Sequence, residues 1–333
     1  MKIVVRMPNW IGDSILALPA VQSLKKNFPE SEIWMASREW AKDLFAADHL
    51  VQGIISLPDI RDLKSLREAG SMLKSHGFDL GFLLTNSFSS ALLFSIAGIP
   101  ERWGYSSDGR RLLLTRSVTP AATAGTRHQA EYYLQLLAGL GLQVFPQRIA
   151  LTLSEEEKAE AGRALLAAGR DQAKPLVILN PGAFYGSAKR WPPGRFAEAA
   201  ALFEARNHAE ILIVGSGDEK EIGDAVAAGL ERKPMNFVGK TSLRQLIALL
   251  SHGQLFVTND SGPMHIANAL GIPVLALFGP TDPKVTGPLE PPASVLKKDV
   301  PCWPCLYRTC PYDHRCMMNI EAAEVFEAGQ KYL

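Results

Sequence analysis

The residues best suited to chemistry lie in one stretch of the C-terminal half, residues 258–262, TNDSG. An apolar run precedes this stretch, and Pro263 follows it, where proline suits the first position of a helix. A strand that turns tightly into a helix leaves the first N–H groups of that helix unpaired, at the positive end of its dipole. Such a helix start can bind a diphosphate, and His265 would lie in its first turn. A plain helix capped by Asp260 or Ser261 accounts for the same residues.

Two more loops follow predicted strands in the same half of the chain. The loop after the apolar run 176–179 contains Lys189 and two glycines, Gly182 and Gly186, which would let the backbone come close to a ligand. Lys189 supplies the positive charge that a phosphate needs, although the loop lacks the Ser or Thr that follows the lysine of a P-loop. Thr241 lies in the loop before another predicted helix. Loops that follow parallel strands meet at one edge of a sheet, so the sequence predicts an anion-binding edge.

A carboxylate occupies a comparable position near the N-terminus. Residues 3–7, IVVRM, predict a first strand, and residues 8–13 form the loop after it. Apolar residues then recur at helical spacing over 14–27. Asp13 therefore lies at the carboxyl end of a strand, where open α/β sheets bind ligands. A carboxylate there can act as a general base toward a substrate hydroxyl, or it can simply cap the helix. The residue pattern leaves both roles open.

The elements that position these residues alternate along the chain. Predicted strands and helices follow one another through both halves, which is typical of parallel sheets covered by helices on both faces. The 333 residues suffice for two domains, and we place the boundary at 165/166. A net charge of +1 gives no general attraction to nucleic acid or membranes. The chain has no apolar run of about 18 residues and no signal-peptide core, so we expect a cytoplasmic protein.

Two groups of residues have no role in this pattern. Four arginines, among them Arg102 and Arg110, cluster between residues 100 and 117 and are either solvated loop charges or a grip on an anionic substrate. All four cysteines fall in one short segment: Cys302, Cys305, Cys310 and Cys316. Their spacing is compatible with a structural zinc or iron–sulfur site, although it does not match the commonest zinc patterns. Reduced thiols or a local redox pair are the alternative, because a cytoplasmic setting disfavours stable disulfides.

Five motifs, in consistent order over residues 1 to about 290, resemble one enzyme family. They are residues 9–13 (NWIGD), 85–88 (TNSF) with 98–100 (GIP), 181–183 (PGA) with 188–192 (AKRWP), 258–262 with His265, and 278–280 (FGP). Together they resemble the ADP-heptose:lipopolysaccharide heptosyltransferases, with the type II members as the nearest match. The resemblance implies a GT-B fold, in which two Rossmann-like α/β domains face each other across a cleft. It also implies an inverting, metal-independent glycosyltransferase that takes part in lipopolysaccharide core biosynthesis.

The resemblance assigns roles to residues of both halves. Asp13 would be the catalytic base. The nucleotide-sugar site would comprise Gly182, Gly186, Ser187, Lys189, Thr241, Asp260, Ser261, Gly262 and His265. In that site Lys189 would neutralise the departing ADP and the helix start would bind the diphosphate. Thr241 would lie near the adenine, and Asp260 near the donor sugar or its diphosphate linkage. Acceptor contacts would come from Asn9, Asn86, Ser87, Arg102 and Arg110.

The same resemblance implies the partners and the domain roles. The first domain would bind the lipid A-linked inner-core acceptor, heptosyl-Kdo2-lipid A, and the second would bind ADP-heptose, which is a co-substrate rather than a cofactor. The final helix would pack back on the first domain. A lipid-linked acceptor leaves open a peripheral contact with the inner face of the inner membrane.

Heptosyltransferase I or III activity, a nucleotide-sugar epimerase of the same fold and a non-catalytic nucleotide-sugar binding module remain alternatives. A dinucleotide dehydrogenase is disfavoured because no Gly-x-Gly-x-x-Gly follows the first strand.

Overall fold

A computed structural model describes residues 1–122, 124–145 and 148–333. The chain forms two compact units, Met1–Ile149 and Ala150–Leu333. Each is an α/β unit built on one parallel sheet, as the alternating pattern predicted. Among the helices of the described residues, none has both the length and the apolar content needed to span a membrane.

The first unit has a six-stranded parallel sheet in the order β3-β2-β1-β4-β5-β6, which is the strand order of the dinucleotide-binding fold. Its strands are β1 Lys2–Arg6, β2 Glu32–Ser37, β3 Gly53–Ser56, β4 Leu80–Leu83, β5 Glu101–Tyr105 and β6 Arg116–Val118. Its helices are α1 Ile11–Leu16, α2 Leu18–Asn27, α3 Trp40–Leu44, α4 Leu63–Lys74, α5 Phe88–Ile96 and α6 Gln129–Gly139. Strands β1 and β4 are almost fully buried, which explains their near-continuous apolar sequences.

The second unit repeats the same topology. Its sheet has the order β12-β11-β10-β7-β8-β9. Its strands are β7 Leu176–Asn180, β8 Glu210–Ile213, β9 Met235–Asn236, β10 Leu255–Asn259, β11 Val274–Phe278 and β12 Ala293–Lys297. Its helices are α7 Glu155–Ala167, α8 Pro193–Asn207, α9 Lys220–Ala228, α10 Leu243–Leu250, α11 Gly262–Ala269, α12 Pro283–Thr286, α13 Arg315–Met318 and α14 Ala322–Gly329. In each sheet the strand order reverses beside the first strand, between β1 and β4 and between β7 and β10.

The two units divide earlier in the chain than the sequence suggested. We placed the boundary at 165/166, whereas the structure divides at Ile149–Ala150 and includes α7 in the second unit. Helix α7 packs on α10, and the Glu157 carboxylate forms an ion pair with Arg244 of α10. A capping box between Ser154 and Glu157 fixes the start of α7. The sequence of α7 did not predict these contacts, because only one side of the helix is buried and most of its residues are charged or small.

The final helix packs within its own unit. Helix α14 packs on α8, and its expected packing back on the first domain stays a prediction. The rings of Phe326 and Phe203 lie 5.2 Å apart, and Val325 is fully buried in the core of this unit. Gly329 lies so close to Phe203 and Leu255 that a Cβ atom there would clash with both. The apolar face of α14 is thus satisfied within the second unit.

The ion pair of α7 gives a pH-dependent prediction. A hydrogen bond from Arg244 lowers the pKa of Glu157 from 4.5 to about 2. A carboxyl group with a lowered pKa stabilises the fold above its unfolded pKa and loses that effect as the pH falls toward its folded pKa. We therefore expect Glu157→Gln to reduce the free energy of unfolding by about 1–3 kcal/mol at pH 7. The difference from wild type should shrink between pH 4.5 and pH 2, which urea titrations over this range would measure. A difference that does not vary with pH would contradict this account.

Candidate active site

Most of the residues predicted to bind a nucleotide sugar lie at the point where the strand order of the second sheet reverses, whereas Thr241 lies apart in the loop before α10. Strands β7 and β10 are neighbours, with Asn180 paired to Thr258 in register, and the loops that follow them lead to α8 and α11 on either side. Open α/β sheets bind ligands in the crevice that such diverging loops create. We call Lys189, Asp260, Ser261, Gly262 and Thr281 the α11 site.

A buried charged network occupies the centre of the α11 site. Lys189 Nζ donates to Asp260 Oδ2 in an ion pair, and the same carboxylate oxygen accepts from Thr281 Oγ1 at 2.6 Å. Only 9% of Lys189 and 4% of Asp260 is exposed. The Lys189 ammonium also lies 4.7 Å from the centre of the Tyr185 ring. Because the three side chains come from three different loops, the ion pair joins the loops after β7, β10 and β11.

This pairing is a contact that the predicted roles did not include. We expected Asp260 near the donor sugar or its diphosphate linkage and Lys189 beside the departing ADP, and in the structure the two side chains contact each other. The pair is neutral as a whole, so an anion gains less from Lys189 than from an isolated cation. The positive end of the α11 dipole supplies the remaining attraction. Asp260 therefore fixes the position of the Lys189 ammonium within the site.

The start of α11 is the second component of the site. Ser261 is the N-cap residue and has extended backbone angles, but its side chain does not cap the helix. Its Oγ instead accepts a hydrogen bond from Asn180 Nδ2 at 3.0 Å. The alternative of a helix capped by a side chain of Asp260 or Ser261 is thus wrong. His265 lies in the first helical turn, as predicted, and is 6% exposed.

Two buried asparagines that the sequence analysis did not single out build this site. Asn180 Nδ2 donates to Thr258 Oγ1 at 3.1 Å as well as to Ser261. Asn259 Nδ2 donates to the carbonyl of Pro181 at 2.8 Å, and its Oδ1 accepts from the Trp191 N–H at 3.0 Å. Asn259 thereby bridges both ends of the loop that contains Lys189. The sequence signal that could have identified both asparagines is a polar side chain at the end of a buried strand.

The two glycines of the Lys189 loop serve contacts inside the protein. A Cβ atom on Gly182 would collide with the carboxylate of Glu219, and one on Gly186 would collide with the carbonyl of Arg308. We had predicted that these glycines let a ligand approach the backbone, so that prediction assigned the close approach to the wrong partner. Ser187 is exposed and begins a short 3-10 turn, Ser187–Lys189, that places Lys189.

Thr241 lies in a pocket of about 280 Å3 beside this sheet. The pocket is enclosed by α7, α10 and the loop before α10, and Phe237, Lys240 and Arg244 also line it. Its volume is near the lower end of the range for small-molecule sites. Its lining combines apolar residues such as Leu249 with two acidic side chains, Glu157 and Glu160, beside the two cationic ones.

In the first unit, Asp13 lies in the first turn of α1, after β1. The sequence predicted a helix from residue 14, but α1 begins at Ile11, so the N-cap is Trp10 and Asp13 does not cap the helix. Asp13 is half-buried beside α6. Burial raises the pKa of the Tyr133 phenol, and the nearby Asp13 carboxylate raises it further. Asp13 and Tyr133 are therefore close enough to interact.

A buried arginine that the sequence analysis overlooked orders the loop before Asp13. Arg6 at the end of β1 donates through Nη2 to Asn9 Oδ1 at 2.7 Å and through Nη1 to the carbonyl of Met7 at 2.5 Å. Ser14 Oγ donates to the carbonyl of Pro8 at 3.1 Å. Burial lowers the pKa of Arg6 to about 10. Asn9, predicted to contact an acceptor, thus uses its carbonyl oxygen to fix this loop.

The remaining predicted acceptor residues are engaged within the first unit. Asn86 Nδ2 donates to Tyr132 Oη at 2.8 Å, and Ser87 Oγ caps α5. Arg102 donates through Nε to the carbonyl of Leu113 at 2.7 Å. Arg110 is fully buried, so neither of the two roles we considered for it, a solvated charge or a grip on substrate, is correct.

Arg110 instead joins the loops that follow β4 and β5. Its Nε donates to the carbonyl of Tyr105 at 2.8 Å, and its Nη1 bonds the carbonyl of Thr85 and Ser90 Oγ. Burial lowers its pKa to about 10. A lysine could not reproduce this set of bonds, because it lacks the planar fork of donors.

We therefore expect Arg110→Lys to reduce the free energy of unfolding by about 3 kcal/mol, since several buried carbonyl groups would lose their donor. Arg111→Lys is the matched control, because Arg111 is the next residue and is exposed; a surface change of this kind alters stability by about 0.5 kcal/mol or less. Urea unfolding of both variants would test this prediction. Equal effects of the two substitutions would show that the buried bonds of Arg110 contribute little.

The four cysteines lie together in the second unit. All four line one small cavity, together with Ala188 and Pro280. Burial raises the pKa of Cys316 to about 11, whereas Cys302 is exposed. Within residues 1–122, 124–145 and 148–333, no group of three or more His, Cys, Asp or Glu side chains has the geometry of a metal site. Analysis of the purified protein for bound zinc or iron would decide between a structural metal in this segment and reduced thiols or a redox pair.

Comparison with known proteins gives a consistent result. A family model described as glycosyltransferase family 9 (heptosyltransferase) matches residues 66–315. Lipopolysaccharide heptosyltransferase 2 of Escherichia coli K12 is 31% identical over 311 residues, which cover 89% of this chain and 88% of the relative. Lipooligosaccharide heptosyltransferase 2 of Campylobacter jejuni serotype O:6 is 30% identical and covers 99% of both chains.

Solved structures agree with the sequence relatives. The structure of E. coli ADP-heptose lps heptosyltransferase II is 29% identical, has a TM-score of 0.83 and covers 98% of this chain and 97% of that one. The glycosyl transferase family 9 structure from Veillonella parvula is 25% identical, with a TM-score of 0.89 and coverage of 99% and 96%. The chain is thus similar to these proteins in sequence and in fold over almost its whole length.

Proposed function

Because this chain belongs to glycosyltransferase family 9, the heptosyltransferase family, we propose that it transfers a heptose from ADP-heptose to heptosyl-Kdo2-lipid A in lipopolysaccharide core biosynthesis. The observation that carries the proposal is the α11 site. The N-cap side chain of α11, Ser261, bonds Asn180 rather than the helix, and a buried lysine lies beside this helix start. The helix starts where the strand order of the parallel sheet reverses. This arrangement suits the diphosphate of a sugar nucleotide.

In the proposed reaction, Asp13 accepts the proton of an acceptor hydroxyl. The resulting oxygen nucleophile attacks the anomeric carbon of the heptose, and the bond from that carbon to the ADP oxygen breaks. The attack inverts the anomeric configuration, because the nucleophile enters opposite the leaving group. A carboxylate that removes a proton in the transition state commonly contributes 10²–10⁴-fold to a rate.

The departing ADP gains negative charge, which the second unit stabilises. The N–H groups at the start of α11 and the Lys189 ammonium interact with the diphosphate, and Asp260 with Thr281 fixes the direction of that ammonium. His265 in the first turn of α11 completes the diphosphate site, and Thr241 with its pocket contacts the adenine. ADP-heptose is consumed as a co-substrate, and the proposed reaction uses no cofactor.

The acceptor is the lipid-linked inner core, so the proposed place of action is the inner face of the inner membrane. The residues that we predicted to contact the acceptor are bonded within the first unit, which leaves Asp13 as the residue of that unit assigned to the reacting hydroxyl. Asn9 and Ser87 support the loops on which an acceptor would rest.

The test is incubation with ADP-heptose and a heptosyl-Kdo2-lipid A acceptor, followed by mass spectrometry and ADP detection. We expect stoichiometric ADP release and an acceptor that is heavier by one heptose, in buffer with or without EDTA. Epimerised ADP-heptose without ADP release would instead show an epimerase. Binding of ADP-heptose without either product would show a non-catalytic binding module.

A further inference from the structure

The cysteine-bearing end of the chain has no part in the proposed reaction, yet it contacts the α11 site closely. We call residues 302–320 the cysteine segment. It covers the cavity that its four thiols share with Ala188 and Pro280. Those two residues directly precede Lys189 and Thr281, which both bond the Asp260 carboxylate. The segment therefore touches the α11 site one residue away from two of its functional side chains.

The cysteine segment bonds both backbone groups of Ala188. The Ala188 N–H donates to the carbonyl of Arg308 at 3.0 Å, and His314 Nε2 lies 2.8 Å from the carbonyl of Ala188. A carbonyl oxygen only accepts, so Nε2 of His314 bears the proton in this bond. The peptide that leads into Lys189 is thus fixed from both sides by one segment.

The same segment fixes the loop after β11. The Leu306 N–H donates to the carbonyl of Pro280 at 3.0 Å, and Trp303 Nε1 donates to the carbonyl of Thr281 at 3.1 Å. Thr281 in turn donates to Asp260. The cysteine segment therefore sets the separation of the two loops whose side chains meet at one carboxylate oxygen.

A glycine in each of the loops after β7 and β11 lets the cysteine segment pack closely against the loop backbone. A Cβ atom on Gly186 would collide with the carbonyl oxygen of Arg308, and one on Gly279 would collide with the sulfur of Met317. Each glycine belongs to one of the two loops. Backbone approach this close is available only where a side chain is missing.

We propose that the cysteine segment positions Lys189 and Thr281 for the donor diphosphate, with Trp303 and His314 as the positioning residues. The inference rests on the proposed function only in taking the α11 site as the diphosphate site. Trp303 acts through the Thr281 carbonyl, and His314 through the carbonyl of Ala188. Without these bonds the Lys189–Asp260 pair can still form, but its place relative to a bound diphosphate is less fixed.

The test is calorimetric titration of Trp303→Phe, His314→Leu and the wild type with ADP, at a temperature well below unfolding. Phenylalanine keeps an aromatic ring where the Trp303 ring lies 4.0 Å from the Lys297 ammonium, but it is smaller than the indole and lacks the indole N–H. The loss of one hydrogen bond corresponds to about five-fold weaker ADP binding, and we expect that change for each variant. The KM for ADP-heptose should rise by a similar factor, with a smaller change in kcat.

Tyr332→Phe is the matched control, because the Tyr332 hydroxyl bonds Ser294 Oγ at 2.8 Å in the same unit but in neither loop. Its ADP affinity should equal that of wild type. Unchanged ADP affinity in Trp303→Phe and His314→Leu, with only a lower Tm, would overturn the proposal, as would an equal loss of affinity in Tyr332→Phe. A wild type that binds ADP but transfers no heptose would refute the proposed function and leave this inference intact.

Discussion

Asp13→Asn is expected to lower kcat by about 10²–10⁴-fold while leaving the affinity for ADP unchanged. Asparagine has the shape of aspartate but cannot accept the acceptor proton. The substitution should leave the fold intact, since Asp13 lies in the first turn of α1 without capping it. ADP affinity should persist because the α11 site belongs to the second unit.

The measurement is steady-state heptose transfer, with ADP titration of the same preparation. Asp43→Asn is the control, because Asp43 is also an aspartate in the first turn of a first-unit helix, α3, and is exposed. It should retain wild-type turnover. If Asp13→Asn keeps more than about a tenth of wild-type kcat, Asp13 is not the general base.

Lys189→Met is expected to reduce both stability and turnover. It leaves the Asp260 carboxylate buried with Thr281 as its remaining bonded side chain. Removing one partner of a buried ion pair commonly costs about 3–5 kcal/mol. Turnover should fall by about 10²–10³-fold, because a positioned group that stabilises the leaving diphosphate is lost.

A double variant separates the two effects. In Lys189→Met with Asp260→Asn, no uncompensated charge stays buried, so the free energy of unfolding should return to within about 1 kcal/mol of wild type. Turnover should stay low, because the cation is still missing. Recovery of turnover together with stability would show that Lys189 has only a structural role.

Lys220→Met is the control for this pair of variants. Lys220 forms an ion pair with Asp224 at 2.8 Å, but 69% of its side chain is exposed. Exposed pairs contribute little, so its loss should change neither unfolding nor turnover measurably. Urea unfolding and ADP release would be measured for all variants in the same buffer.

The sequence was sufficient to predict the central strands of both sheets. Strands such as β4 and β10 are buried along their whole length, so they appear as continuous apolar runs. Strands β5 and β6 were interpreted as a loop rich in arginine, because they lie toward one edge of the sheet and carry polar side chains. Partial burial removes the apolar run on which the prediction depends.

The loops of the candidate site were also predictable, because each follows a buried strand. The partners of their polar side chains were not, since they depend on contacts between residues far apart in the chain. Lys189 and Asp260 are 71 residues apart, and Arg110 bonds Ser90 across 20 residues. A glycine such as Gly186 gives the same signal whether a ligand or a distant backbone segment approaches it. Composition and spacing alone do not separate these cases.

The most direct test of the proposed function is turnover of ADP-heptose with Kdo2-lipid A acceptors that carry zero, one or two heptoses. The account predicts that kcat/KM is highest for the acceptor with one heptose and that the product carries two. Highest activity on the heptose-free acceptor would contradict this and indicate a type I enzyme. Activity confined to the acceptor with two heptoses would contradict it as well and indicate addition of a later heptose.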